Sequence, residues 1–96
     1  MKVNINGIEY QVIENYRDCF DLSEIEEKLK DTDYFNEFDY ILGDYAYDKL
    51  RLKGFYNKDN KKKNDINDYS KVQEYIKEYC SYGCSYFILE KAVKTK

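Results

Sequence analysis

Val3-Asn4-Ile5-Asn6-Gly7-Ile8-Glu9-Tyr10-Gln11-Val12 is the stretch that decides the fold class. Apolar and polar residues alternate on both sides of Asn6-Gly7. A tight type I′ turn needs positive φ at both central residues, and Asn-Gly reaches it at least steric cost. The stretch therefore predicts a β-hairpin with strands near 2–6 and 8–13. Its apolar side chains, Val3 and Ile5 on one strand and Ile8, Tyr10 and Val12 on the other, need a core that the rest of the chain must supply.

Downstream, Glu14 to Cys19 reads as a polar connection. Asp21-Leu22-Ser23-Glu24 has the form of a capping box, and Leu22, Ile25 and Leu29 follow at helical spacing. Acids at 24, 26 and 27 and bases at 28 and 30 complement the helix dipole, and Asp31-Thr32-Asp33 ends it. Phe38–Leu42 predicts a third strand, Gly43–Asp48 a turn and Leu50–Tyr56 a fourth strand. Residues 57–67, with the run Lys61-Lys62-Lys63, predict a polar mobile loop. Ser70-Lys71-Val72-Gln73 starts a second helix carrying Val72, Tyr75, Ile76 and Tyr79, with its end near 80–82 and Gly83 as its C-cap. Cys84–Leu89 reads as a central strand, and residues 91–96 form a basic tail. The order is ββαββαβ. It predicts a single α+β domain over 1–96, with a largely antiparallel sheet of about five strands and two helices.

Composition sets limits on function. Of 96 residues, 23 are Ile, Leu, Val or Phe, above the roughly 20% below which a charged chain stays disordered. The core is near the small end of what stands alone. No apolar run reaches the roughly 18 residues of a membrane span, and no signal-type apolar region opens the chain. His, Trp and Pro are absent, which excludes His-based triads, His-ligated zinc or haem, and imidazole acid-base chemistry. The 3 cysteines, Cys19, Cys80 and Cys84, are an odd set without a signal, which predicts a reducing, cytoplasmic location. The net charge is −3, but residues 1–48 hold 13 acids and 4 bases, and residues 49–96 hold 12 bases and 6 acids. Such halves either polarise the surface or pair with each other across the fold. The overall sign argues against sequence-blind coating of DNA.

Two stretches resemble a known family: Gly43-Asp44-Tyr45-Ala46-Tyr47-Asp48-Lys49-Leu50-Arg51-Leu52-Lys53-Gly54-Phe55 and Glu78-Tyr79-Cys80-Ser81-Tyr82-Gly83-Cys84-Ser85-Tyr86-Phe87-Ile88-Leu89. With Gly7-Ile8-Glu9-Tyr10 and Glu14-Asn15-Tyr16-Arg17-Asp18, they make the chain similar to the YutD-like family of low-GC Gram-positive bacteria over most of its length. Two positions depart from that pattern, Tyr45 in place of Trp and Cys19 in place of Gly. The second implies that the Cys19 thiol carries no family role. The resemblance implies a small cytosolic α+β domain and no activity.

Four candidate features follow from the residues themselves. Strand alternation sends Arg51, Lys53 and Phe55 to one face of the fourth strand, where two cations beside a ring can contact phosphates and stack a base. The contrary reading covers Phe55 with a helix and pairs the cations with acids. In the Gly43–Asp48 turn, Tyr45 and Tyr47 offer a protein-binding surface, and Asp44 and Asp48 offer paired carboxylates for a metal-assisted hydrolase. Asp44 paired with Arg51 across the hairpin is the structural alternative. Cys80 and Cys84 are expected as buried structural thiols, because one further thiol and no His cannot complete a zinc site. No cofactor and no metal are expected. The composite expectation is a non-enzymatic cytosolic binding module, with RNA or a ribonucleoprotein as first partner and another protein as the alternative, without a membrane partner.

Overall fold

The Asn6-Gly7 turn forms as its chemistry dictates, with φ of 56° and 81° at the two residues. A computed structural model describes residues 1–46, 48–79 and 84–92 of the chain. The turn joins β1 (Lys2–Ile5) to β2 (Ile8–Tyr16), with Ile5 opposite Ile8. α1 (Leu22–Leu29), β3 (Tyr40–Ala46), β4 (Lys49–Phe55), α2 (Val72–Tyr79) and β5 (Tyr86–Lys91) follow in chain order. The ββαββαβ order is therefore present. The strands form one sheet in the order β1-β2-β5-β3-β4, and every neighbouring pair is antiparallel.

β5 occupies the middle of that sheet and is apolar on both faces. Phe87 and Leu89 join Ile5, Tyr10, Ile25, Leu29, Ile41 and Leu50 in the cluster that α1 covers. Ile88, one residue out of phase, joins Leu42, Phe55 and Val72 in the cluster under α2. Alternation along a strand thus places the two helices on opposite faces. α1 starts where predicted, with the Asp21 carboxylate accepting from the Glu24 backbone N–H and the Ser23 hydroxyl. These hydrogen bonds hold its pKa below the ordinary value.

Four expectations need correction. β2 runs on to Tyr16, because a bulge between Val12 and Glu14 restores its pairing with β5, and Tyr16 then stacks on Tyr86. A 3₁₀ turn at Tyr34–Glu37 was not anticipated; it brings Tyr34 and Phe35 against Phe38. The expected 43–48 turn is mostly strand: β3 continues to Ala46 and β4 begins at Lys49, with Asp48 at φ 64° between them. Strand β5 absorbs Lys91, so the expected tail begins later, and residues 93–96 lie outside the described residues, as do Cys80 and Gly83.

Two glycines in the β3–β4 hairpin exist for aromatic rings. A Cβ at Gly54 would lie 2.3 Å from the ring of Phe38, and one at Gly43 would lie 2.1 Å from Phe87. Both rings are buried, so they cannot swing into solvent. Gly54→Ala is expected to destabilise by about 1–3 kcal/mol, as overpacking does, and to lower the melting temperature on the order of 10 °C. A thermal melt checks this, and an unchanged midpoint would mean that Phe38 does not sit on Gly54.

Candidate functional site

Strand alternation does put Arg51, Lys53 and Phe55 on one face of β4, but that face is the one α2 covers. Asp68 starts the helical segment by accepting from the Ser70 N–H, and Val72, Tyr75 and Ile76 then form a stripe facing the sheet. Phe55 is 1% exposed. The rings of Tyr69 and Tyr75 close over it edge-on, at 6.4 and 5.7 Å between centroids. The open basic-aromatic platform expected for RNA is therefore absent. The apolar stripe of α2 needed a floor, and Phe55 is part of that floor.

The two cations of β4 have different fates. Arg51 forms a fork onto Asp44 on β3: its Nε donates to Oδ1 at 3.0 Å and its Nη2 to Oδ2 at 2.8 Å. The same Nη2 donates to the carbonyl of Tyr79 in the last turn of α2, at 3.1 Å. Asp44 is 4% exposed, and its hydrogen bonds raise the guanidinium's pKa. Asp44 and Arg51 are therefore a clamp that seats the end of α2, as the structural alternative anticipated, and Asp44 is not available to act with Asp48. Among the described residues, no group of three or more Cys, Asp and Glu could hold a metal ion.

Lys53 has no such partner. Its Nζ lies 5.1 Å from the Phe55 ring centroid and 5.6 Å from that of Tyr75. It makes no ion pair or hydrogen bond among the described residues. The ammonium is half-buried, and desolvation lowers its pKa. It stands at the floor of a groove of about 460 Å³, lined by Phe55, Tyr75, Tyr79, Ile66 and Lys71 among others. Ile66 is 73% and Tyr79 53% exposed. Asp65, Glu74 and Glu78 add carboxylates to the lining, with Asp65 3.6 Å from Lys71.

The 57–67 segment forms the other wall and is built from Asn and Asp turns. Asp39 accepts from the Asn57 N–H at 2.7 Å and from the Asn60 amide at 3.0 Å. Asn64 accepts from the Ile66 and Asn67 N–H groups. Sequence reasoning missed Ile66, and the signal was there: one β-branched apolar residue in an otherwise polar stretch. It also placed Tyr79 on the core face, whereas the last turn of α2 carries that ring out to the rim of the groove.

Of the two tyrosines expected as a contact surface, one is described. Tyr45 lies in β3, half-buried, and its hydroxyl donates to Glu24 of α1 at 2.6 Å. Burial, then that hydrogen bond, raises its pKa. Tyr47 lies outside the described residues, and Asp48 is exposed in the turn. Cys84 is disulfide-bonded, which corrects its reading as a thiol; Cys19 is free, and Cys80 is not among the described residues.

A family profile described as "Putative antitoxin YutD-like" matches residues 4–90. The chain is 40% identical over 90 residues to "Putative antitoxin YutD" of Bacillus subtilis (strain 168), covering 94% of this chain and 97% of that relative. A solution NMR structure of protein yutD from B. subtilis superposes with a TM-score of 0.79 at 35% identity, covering 100% of this chain and 86% of that one. Among the described residues, no helix is long and apolar enough to cross a membrane.

The contrast between the two cations is measurable. Arg51→Met leaves the Asp44 carboxylate buried without its partner. Breaking buried pairs costs 3–5 kcal/mol, and about 2 kcal/mol is expected here because Arg51 is itself half-exposed. Lys53→Met keeps the aliphatic stem and removes a part-desolvated charge, so stability should hold or rise by up to about 1 kcal/mol. Urea denaturation of both variants checks the pair; equal losses would contradict the assignment.

Proposed function

The chain belongs to the YutD-like family, and on that premise we propose that it is a protein-binding domain. In this reading it acts by engaging a partner protein through the groove between α2 and the 57–67 segment. The observation that carries the reading is Lys53. Its ammonium is held between two aromatic rings at the floor of a groove whose lining presents Ile66 and Tyr79 to solvent. A cation deprived of part of its water, with no ion pair among the described residues, carries a desolvation cost in the free protein. A partner carboxylate seated beside it offsets that cost. The exposed side chains around it supply apolar area worth about 25 cal/mol per Å² when a partner covers it. The charge fixes the partner's orientation.

The names of the family and of the B. subtilis relative point the same way. An antitoxin does its work by binding and neutralising a toxin, which asks for a contact surface and not for a nucleophile and its base. RNA is the poorer fit. The ring that would stack on a base lies beneath α2, and one of the two cations beside it is committed to Asp44. The tyrosine-rich turn is also a poorer contact surface than the groove, since the Tyr45 hydroxyl is committed to Glu24.

The reading is tested by affinity capture from Bacillus subtilis, followed by binding measurements with the captured protein once purified. Ile66→Asp and Tyr79→Asp should each weaken binding by at least about tenfold, as loss of a central apolar anchor does. Glu26→Lys, on the exposed side of α1, should leave it unchanged. Binding indifferent to both groove variants, or recovery of nuclease-sensitive RNA in place of a protein, would reject the proposal.

A further inference from the structure

The wall of the groove on the α2 side carries charge that the floor does not answer. Lys71, Glu74, Tyr75, Glu78 and Tyr79 line it. These positions recur every three or four residues, so they form one stripe along α2 and the turn that leads into it. Tyr75 turns in over Phe55, while Glu74 and Glu78 stand exposed beside it. The two acids lie one helical turn apart, about 6 Å between their Cβ atoms. Neither makes an ion pair or a hydrogen bond among the described residues. The base on the same stripe is engaged elsewhere: Lys71 lies 3.6 Å from Asp65 on the facing 57–67 segment.

Lys53 does not answer these acids either. A carboxylate close enough to act on the ammonium would raise its pKa, whereas burial alone moves it, and downward. The groove thus holds three separated and unmatched charges: one ammonium at the floor and two carboxylates on the wall. Ile66 stands exposed on the opposite side. Like charges one turn apart repel each other in the free chain, and the ammonium lacks part of its water. A uniformly acidic segment would meet Glu74 and Glu78 as like charges, and a uniformly basic one would meet Lys53. Charge complementarity therefore selects a segment carrying both signs in a fixed order.

We propose that the groove takes a segment of a partner protein in which one carboxylate side chain is flanked by basic ones, with aliphatic residues between them. The carboxylate seats on Lys53, the bases on Glu74 and Glu78, and an aliphatic side chain against Ile66. This rests on the protein-partner reading and specifies the partner's charge pattern. The floor contact is partly desolvated and contributes more to affinity. The wall contacts are exposed and individually weak, so they set register.

The probe is the capped peptide Lys-Leu-Glu-Leu-Lys, titrated into the ¹⁵N-labelled full chain. One control has Gln in place of Glu, and a second has Gln in place of both Lys residues. The parent peptide should shift the amide signals of Ile66, Tyr75 and Tyr79. Removing its acid should weaken binding at least about fivefold, and removing its bases at least about threefold. The first difference should vanish in Lys53→Met and the second in Glu74→Gln/Glu78→Gln, with a urea curve showing that each variant is folded. Equal binding of the three peptides overturns the proposal, as does a charge preference that survives in both variants. So does the absence of any shift in those amides at millimolar peptide. Should the charge pattern fail while the captured protein still depends on Ile66 and Tyr79, the groove reading stands and only the pattern is lost. A captured protein indifferent to Ile66 and Tyr79 overturns both, whatever the peptides do.

Discussion

The placement of α2 depends on one guanidinium. Arg51 reaches inward to the buried Asp44 carboxylate and onward to the Tyr79 carbonyl at the end of α2, joining two strands and a helix through one planar group. A helix of eight residues has little stability of its own and must be held by packing and by its ends. The apolar stripe of α2 provides the packing, with Val72 in the cluster of Leu42, Phe55 and Ile88. The clamp fixes where the stripe comes to rest. An Arg fork suits this task because its donors lie in one plane and serve carboxylate and carbonyl together, which a lysine cannot do.

Once α2 is seated, the rest of the site follows. Phe55 becomes floor and ceases to be surface. Lys53, one step along the same face, is caught between that floor and Tyr75, with its ammonium directed to the groove. The 57–67 segment, folded on its own Asn and Asp turns and anchored at Asp39, supplies the opposite wall and brings out Ile66. β4 itself remains at the edge of the sheet. Asp44 and Tyr45 are engaged in holding helices to strands, whereas Asp65, Glu74 and Glu78 line the groove.

Much of the fold could be read from local patterns. The Asn-Gly turn, the capped start of α1 and the existence of an apolar strand at β5 are decided by short-range rules, and these features are present, although β5 runs from Tyr86 to Lys91 and not from Cys84 to Leu89. Element ends were less legible. Gly43 and Asp44 look like turn residues. Yet Gly43 is a strand position left small for Phe87, and Asp44 is a strand acid waiting for Arg51. The bulge that extends β2 depends on its partner β5, which is remote in sequence. The site was half legible. Alternation correctly grouped Arg51, Lys53 and Phe55, but which face the second helix covers is a tertiary fact. The stripe of Val72, Tyr75 and Ile76 says that the helix needs a floor, not where it will find one.

The central claim is that α2 is held on the sheet by the contact between Asp44 and Arg51. The most direct test is a double-mutant cycle on Asp44→Leu and Arg51→Met, with hydrogen exchange along α2 followed in each protein. The account predicts a coupling energy of about 1.5 kcal/mol or more, with α2 amides exchanging faster in both single variants. Additivity within about 0.5 kcal/mol, with the exchange of α2 unaltered, would contradict it.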